Sequence, residues 1–254
     1  MRLPATSAEG TRKPMRRTDI LNLLFEQAEL TGARSFFQRR RREDLSLGEC
    51  LEPHRLDAIL SNYGRRFGTN ASRIAVAGEW SKRYFFFVAR PMIAATIMAD
   101  WCVSLAPDRI GLDVTDNGDI VGLRLSSFGR LHRATSPEER FDFLVRDNLA
   151  PVVEAIVEVS GLSRNVLWSN AGNLFEGTVR GCNAQLQSPT PGLTHAFDFL
   201  DLPTLADGAR NPLFRPIVYP VKNGEPKRLR RVCCIRYLLE TLDYCATCPC
   251  PRGQ

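Results

Sequence analysis

The sequence predicts an α+β protein: a mostly helical domain with one or two β-hairpins and a small C-terminal cysteine-rich cluster module. Three observations carry this. Apolar residues recur at helical spacing along much of the chain, an Asn-Gly turn separates two β-rich runs, and five of the eight cysteines fall between Cys233 and Cys250. At 254 residues the chain can bury a core without disulfides or metal, so any metal site is expected to serve function. With 44% hydrophobic and 24% charged residues it has the composition of a folded globular protein, which excludes disordered and fibrous classes. A net charge of +6 and a pI near 9.0 favour acidic partners but fall short of a dedicated nucleic-acid binder.

Taken in order, residues 1–17 are polar and basic, with Pro4 and Pro14, and are expected to form a flexible tail. No apolar leader is visible among them, which points to the cytoplasm. Asp19 is placed to cap a first helix carrying Ile20, Leu23, Leu24 and Ala28 on one face. Arg39 to Arg42 reads as a solvated patch. Ala71 to Leu105 reads as two helices meeting at Pro91, because proline lacks the N–H that would continue the ladder. The apolar stretch from Tyr84 to Leu105 is interrupted by Arg90, Pro91 and Asp100, so a buried core helix is expected rather than a transmembrane span.

Ile110–Val114 and Ile120–Leu125 flank Asn117-Gly118 and predict a hairpin. Ser136-Pro137-Glu138-Glu139 combines a capping serine, a proline at the first helical position and a glutamate at the third, predicting a helix kinked at Pro151 and ending at Gly161. Ser163 starts the next helix, through Leu167, Trp168 and Leu174. Pro189 to Pro226 is proline-rich without clear periodicity and reads mostly as loop, with a short strand at Ile217 to Tyr219. Neither a dinucleotide fingerprint nor a phosphate loop is present, so no built-in nicotinamide or flavin site of that type is expected.

Thiolates are the ligands that zinc and iron–sulfur clusters prefer, and an expected reducing compartment argues against a disulfide framework. Zinc sites usually separate paired ligands by two to four residues, whereas Cys233 and Cys234 are adjacent and neighbours on extended backbone face opposite ways. A two-iron cluster gives adjacent thiolates more ways to bind. Spacing alone leaves iron–sulfur, zinc and purely structural cysteines open. His54, His132 and His195 share no ligand spacing, which disfavours a Rieske-type site.

The pattern Cys233-Cys234, ten residues, Cys245, two residues, Cys248, preceded by Arg230-Arg231 and followed by Pro249, resembles the C-terminal signature of the FhuF-type ferric siderophore reductases. Looser similarity runs upstream through Trp80 to Tyr84, the hairpin near Leu112, and Leu167-Trp168-Ser169-Asn170. The resemblance implies a [2Fe-2S] cluster on Cys233, Cys234, Cys245 and Cys248, with Cys250 an extra thiol. It also implies one-electron reduction of siderophore-bound Fe(III), hydroxamate siderophores among the candidates, to release Fe(II). Kinship with the FhuF-like domain of siderophore synthetases is implied as well. The chain then divides into a tail at 1–17, a siderophore reductase-like main domain at 18–226 and a cluster segment at 227–254.

Trp168 and Asn170 are candidates for a substrate cleft. Lys227, Arg228, Arg230 and Arg231 form a basic approach to the cysteines, suited to an acidic ferredoxin as electron donor or to an anionic chelate. The same charges can instead be a solvated strand edge. No nucleic-acid partner is expected, and peripheral membrane contact is left open. Two other functions stay in view: a zinc-stabilised binding module, and a siderophore-binding or synthesis-related protein without redox activity.

Overall fold

The structure, a computed structural model, describes residues 37–222 and 224–250. The tail at 1–17 and the helix expected from Asp19 lie outside them. The chain begins with β1 (Phe37–Arg39), α1 (Leu47–Cys50), α2 (Pro53–Gly64), α3 (Arg73–Tyr84) and α4 (Arg90–Ala99). Four strands follow: β2 (Trp101–Cys102), β3 (Ile110–Val114), β4 (Ile120–Leu125) and β5 (Arg130–Leu131). Then come α5 (Pro137–Leu144), α6 (Ala150–Ser160), α7 (Arg164–Gln185) and α8 (Pro191–Asp201), and finally the two-residue strands β6 (Ile217–Val218), β7 (Val221–Lys222), β8 (Glu225–Pro226) and β9 (Leu229–Arg230). This is the helix-rich α+β architecture that the sequence predicts.

Two prolines set the shape of the helical body. Ahead of Pro91 and Pro151 the helix widens into a π turn, at Phe85–Ala89 and Val145–Leu149. Arg90 and Ala150 accordingly donate their N–H groups to carbonyls five residues back, Phe85 and Val145. A proline ring inside a regular helix collides with the carbonyl four residues before it, and a widened turn moves that carbonyl aside. Each pair of helices thus joins through its proline without an intervening loop. The apolar stretch packs inward, with Met92, Ile93, Ala95 and Ile97 almost wholly buried. Among the described residues no helix is long and apolar enough to cross a membrane.

The hairpin forms as predicted, with Ile110 opposite Leu125 and Leu112 opposite Leu123, and β1 adds in parallel to β4. Gly118 at its tip has φ of 76°, and a side chain there would lie 2.5 Å from the Ile59 carbonyl. Only glycine fits. Trp80 donates to the Gly118 carbonyl at 3.1 Å, fastening the tip to α3.

The loop expected over Pro189 to Pro226 needs correction at its start, because Pro191–Asp201 is a regular helix. Thr190 caps it, its hydroxyl accepting from the Leu193 N–H at 3.1 Å, and Pro191 sits where a missing N–H costs nothing. Leu193, Ala196, Phe199 and Leu200 form its buried face. Phe141, Phe175 and Phe199 meet beneath it at centroid distances of 5.0 to 6.0 Å.

At the centre stands α7, which touches α3, α4, α6, α8 and β6. Its apolar face is core, while one side carries Ser169, Asn170, Asn173 and Glu176 at helical spacing. That polar stripe receives the C-terminal segment.

Candidate metal centre

The segment from Arg228 onward docks on α7 through a set of hydrogen bonds, with Val232, Ile235, Leu239 and Leu242 packed against the core. The Ser169 hydroxyl donates to the Val232 carbonyl at 2.9 Å. Arg228 donates to the Asn173 side chain at 2.9 Å and forks onto Glu176. Buried Arg230 donates to Asn170 Oδ1 at 2.6 Å and to Thr247 Oγ1 at 3.2 Å. Arg231 donates its backbone N–H to the Pro216 carbonyl, and Pro216 presses on α7 so closely that a side chain at Gly172 would meet it at 2.5 Å. Tyr237 and Tyr244 stack at 5.0 Å across the loop between the two cysteine groups.

All five C-terminal thiols are free. Cys233 Sγ lies 3.9 Å from Cys248 Sγ, and the sulfurs of Cys233, Cys248 and Cys250 fall within 4.8 Å of one another. Two thiolates on one metal ion at about 2.3 Å each sit slightly under 4 Å apart, so Cys233 and Cys248 have the separation of co-ligands. Cys234 stands outside that group, and the neighbouring Cys245 thiol has the largest influence on it. Adjacent cysteines thus have different neighbours. Ile235 follows in the left-handed region at φ 53°, a turn that brings its N–H to 3.4 Å from Cys233 Sγ.

The electrostatics differ from thiol to thiol. The hydrogen bond from Cys245 lowers the pKa of Cys234 against the opposing effect of burial, and the charges of Lys82 and Arg230 lower it further. The same pairing raises Cys245, and burial raises Cys233. Arg230 is nearly inaccessible, and no carboxylate pairs with it among the described residues. A buried cation without an acidic partner is costly, and the thiols beside it are the groups able to balance it. An all-sulfur donor set beside an uncompensated cation suits an anionic metal–thiolate centre. Elsewhere, Cys102 and Cys182 are pushed up to about 11 by burial and stand outside this group.

A family model described as ferric iron reductase FhuF-like transporter matches residues 78–224, more than half of the chain. The chain belongs to that family. A protein of Escherichia coli strain K12 named ferric siderophore reductase is 24% identical to this FhuF-like chain over 211 residues, covering 80% of this chain and 78% of its own length. The family match begins two residues before Trp80 and ends before the cysteine segment.

Within this FhuF-like fold the residues singled out from sequence separate into distinct settings. Trp168 and Arg231 line a cavity of about 370 Å³ that also includes Val232, the residue before Cys233. Asn170 and Arg230 are buried beneath the segment, and Arg228 is held by Glu176. Lys227 is exposed. His54, His132 and His195 do not join the thiols, and His195 accepts from buried Arg140 at 3.1 Å. Sequence reasoning missed Arg164, at the start of α7, and Arg210 and Phe214, from the loop after α8, which complete the cavity and carry no motif.

Proposed function

We propose that this protein is a ferric siderophore reductase in which Cys233, Cys234, Cys245 and Cys248 hold a [2Fe-2S] cluster. The observation that carries this reading is the gathering of free thiols in one segment, with Cys233 Sγ 3.9 Å from Cys248 Sγ and Cys234 influenced most by Cys245. A two-iron centre needs one pair for each iron. Such a cluster supplies one-electron transfer when bound. The chain's own part is to hold the thiolates, balance their charge with Arg230 and Lys82, and direct N–H groups such as that of Ile235 at sulfur, which tunes the centre. Siderophore oxygens are hard donors suited to Fe(III), so one electron delivered to the bound iron weakens its hold and releases Fe(II). Exposed Lys227 gives an acidic donor such as a ferredoxin a point of electrostatic approach. In this reading 227–254 is the cluster segment, 18–226 the body that docks it, and the work is cytoplasmic.

One observation favours a second reading. The grouping of Cys233 and Cys248 with Cys250 offers three thiolates to a single ion, one fewer than the four ligands that close a structural zinc site. The two readings separate in one experiment. Chemically reduced protein, mixed without oxygen with a ferric siderophore and a ferrous-specific chelator, is expected to return to its oxidised spectrum as ferrous iron is trapped. Absence of both changes would remove the reductase reading.

A further inference from the structure

The cavity beside the thiols has a charge of its own. Its walls include Arg164, Trp168, Arg210, Phe214, Arg231 and Val232, and no acidic residue lines it. Arg164 is neutralised by a forked ion pair with Glu154. Arg210 and Arg231 are exposed, and neither has a carboxylate partner among the described residues. Two guanidiniums without carboxylate partners therefore line one concavity, whose wall includes Val232, the residue before Cys233.

The walls are fixed in place. Buried Asn211 donates to the Phe199 and Leu202 carbonyls at 2.8 and 2.9 Å and accepts from the Leu213 N–H, locking the loop that carries Arg210 and Phe214. Arg215, beside Phe214, is held at φ 41° with its N–H on the Leu200 carbonyl at 2.8 Å. A left-handed non-glycine residue persists only where its surroundings impose it. Phe214 lies beneath Arg231, whose guanidinium carbon is 6.0 Å from the ring centroid. The result is a preformed site with an aromatic floor and two free cations, of the size that takes one arm of a ferric chelate.

We propose that this cavity docks the chelate and selects complexes of net negative charge, with catecholate or carboxylate donors, over neutral ones. The inference rests on the reductase reading for the identity of the cargo. Three hydroxamates just balance ferric iron and leave a neutral complex, whereas catecholates and hydroxycarboxylates leave excess negative charge at oxygens. Guanidinium groups bind such oxygens in forked, charge-assisted pairs, and the indole of Trp168 suits flat aromatic donors. Because both arginines are exposed, each pair is worth only about two- to fivefold in affinity.

Calorimetry with gallium(III) complexes tests this without electron transfer, since gallium mimics ferric iron and is not reduced. The full-length protein is titrated at low salt with a gallium tris-catecholate and with a neutral gallium tris-hydroxamate. The catecholate is expected to bind about tenfold more tightly, and salt is expected to narrow the gap. Arg210→Gln and Arg231→Gln should each weaken the catecholate about threefold while leaving the hydroxamate within about twofold. Arg133→Gln, an exposed charge outside the cavity, should change neither. Equal binding of the two complexes overturns the selectivity, and a loss on Arg133→Gln equal to that on Arg231→Gln overturns the site. Either result leaves the reductase reading intact, because that reading fails only if ferric siderophores neither reoxidise the protein nor release ferrous iron.

Discussion

The helical body and the C-terminal segment are built on different principles. The body is held by a continuous apolar core running from Leu47 to Leu213, with its helices packed around α7. The segment contributes few buried apolar groups, chiefly Leu239 with the thiols of Cys234 and Cys248. It is pinned by Arg228 and Arg230 onto the polar stripe of α7. Burial stabilises by area and tolerates small shifts, whereas charge-assisted hydrogen bonds fix direction. The difference teaches that the thiols are placed by polar contacts, while the core supplies the rigid surface on which those contacts form.

The largest expected effect comes from removing the thiols. Alanine at Cys233, Cys234, Cys245 or Cys248 should bleach the visible spectrum and abolish reduction, while the circular dichroism of the helices stays unchanged. Cys250→Ala should keep most of the chromophore. The Cys250 sulfur lies in the same group as Cys233 and Cys248, so this variant is the sharpest probe of which sulfurs ligate. Loss of colour in Cys250→Ala with retention in Cys234→Ala would reassign the ligands.

A smaller effect is expected where the segment is pinned. Arg230→Leu leaves Asn170 Oδ1 without its buried donor and should destabilise by about 2–3 kcal/mol, lowering the melting temperature by roughly 4–12 °C in a protein of this size. Melting identical to that of the parent protein would mean that the segment is held by something else.

The smallest effect involves Glu176. Burial pushes its carboxyl up, but hydrogen bonds from Tyr219, Arg180 and Arg228 outweigh that and hold it below the ordinary 4.5. A carboxyl with a lowered folded pKa contributes stability that is fully present above the unfolded value and is lost as pH falls through the folded one. Glu176→Gln should therefore cost about 1–2 kcal/mol at neutral pH, discounted because Arg180 is half exposed. The gap between parent and variant, read by urea unfolding, should shrink on acidification below the carboxylate range. A gap that widened with acid would contradict the assigned sign.

Much of this was legible in local sequence where one short stretch holds the whole signal. The hairpin at Asn117-Gly118, the start at Ser136 and the junctions at Pro91 and Pro151 were of that kind. The helix at Pro191 differs from the predicted loop because proline marks both loops and first helical turns, and the Thr190 cap is what distinguishes them. The cysteine spacing exposed the donor set, but the grouping of Cys250 with Cys233 depends on a turn that spacing does not encode. The four basic residues before the cysteines look alike in sequence. Burial separates them, with Arg230 and Arg228 tied to α7 and Lys227 and Arg231 facing solvent. The cavity was invisible because Arg164, Arg210 and Arg231 meet only after α7 and α8 have packed.

The central claim is that paired thiols hold a redox-active cluster, and the most direct test is the metal content and spectrum of full-length protein purified without oxygen. The account predicts a reddish-brown protein with about two iron and two sulfide per chain, whose visible absorption bleaches on taking up one electron and returns on reoxidation. A colourless protein carrying one zinc ion per chain would contradict it.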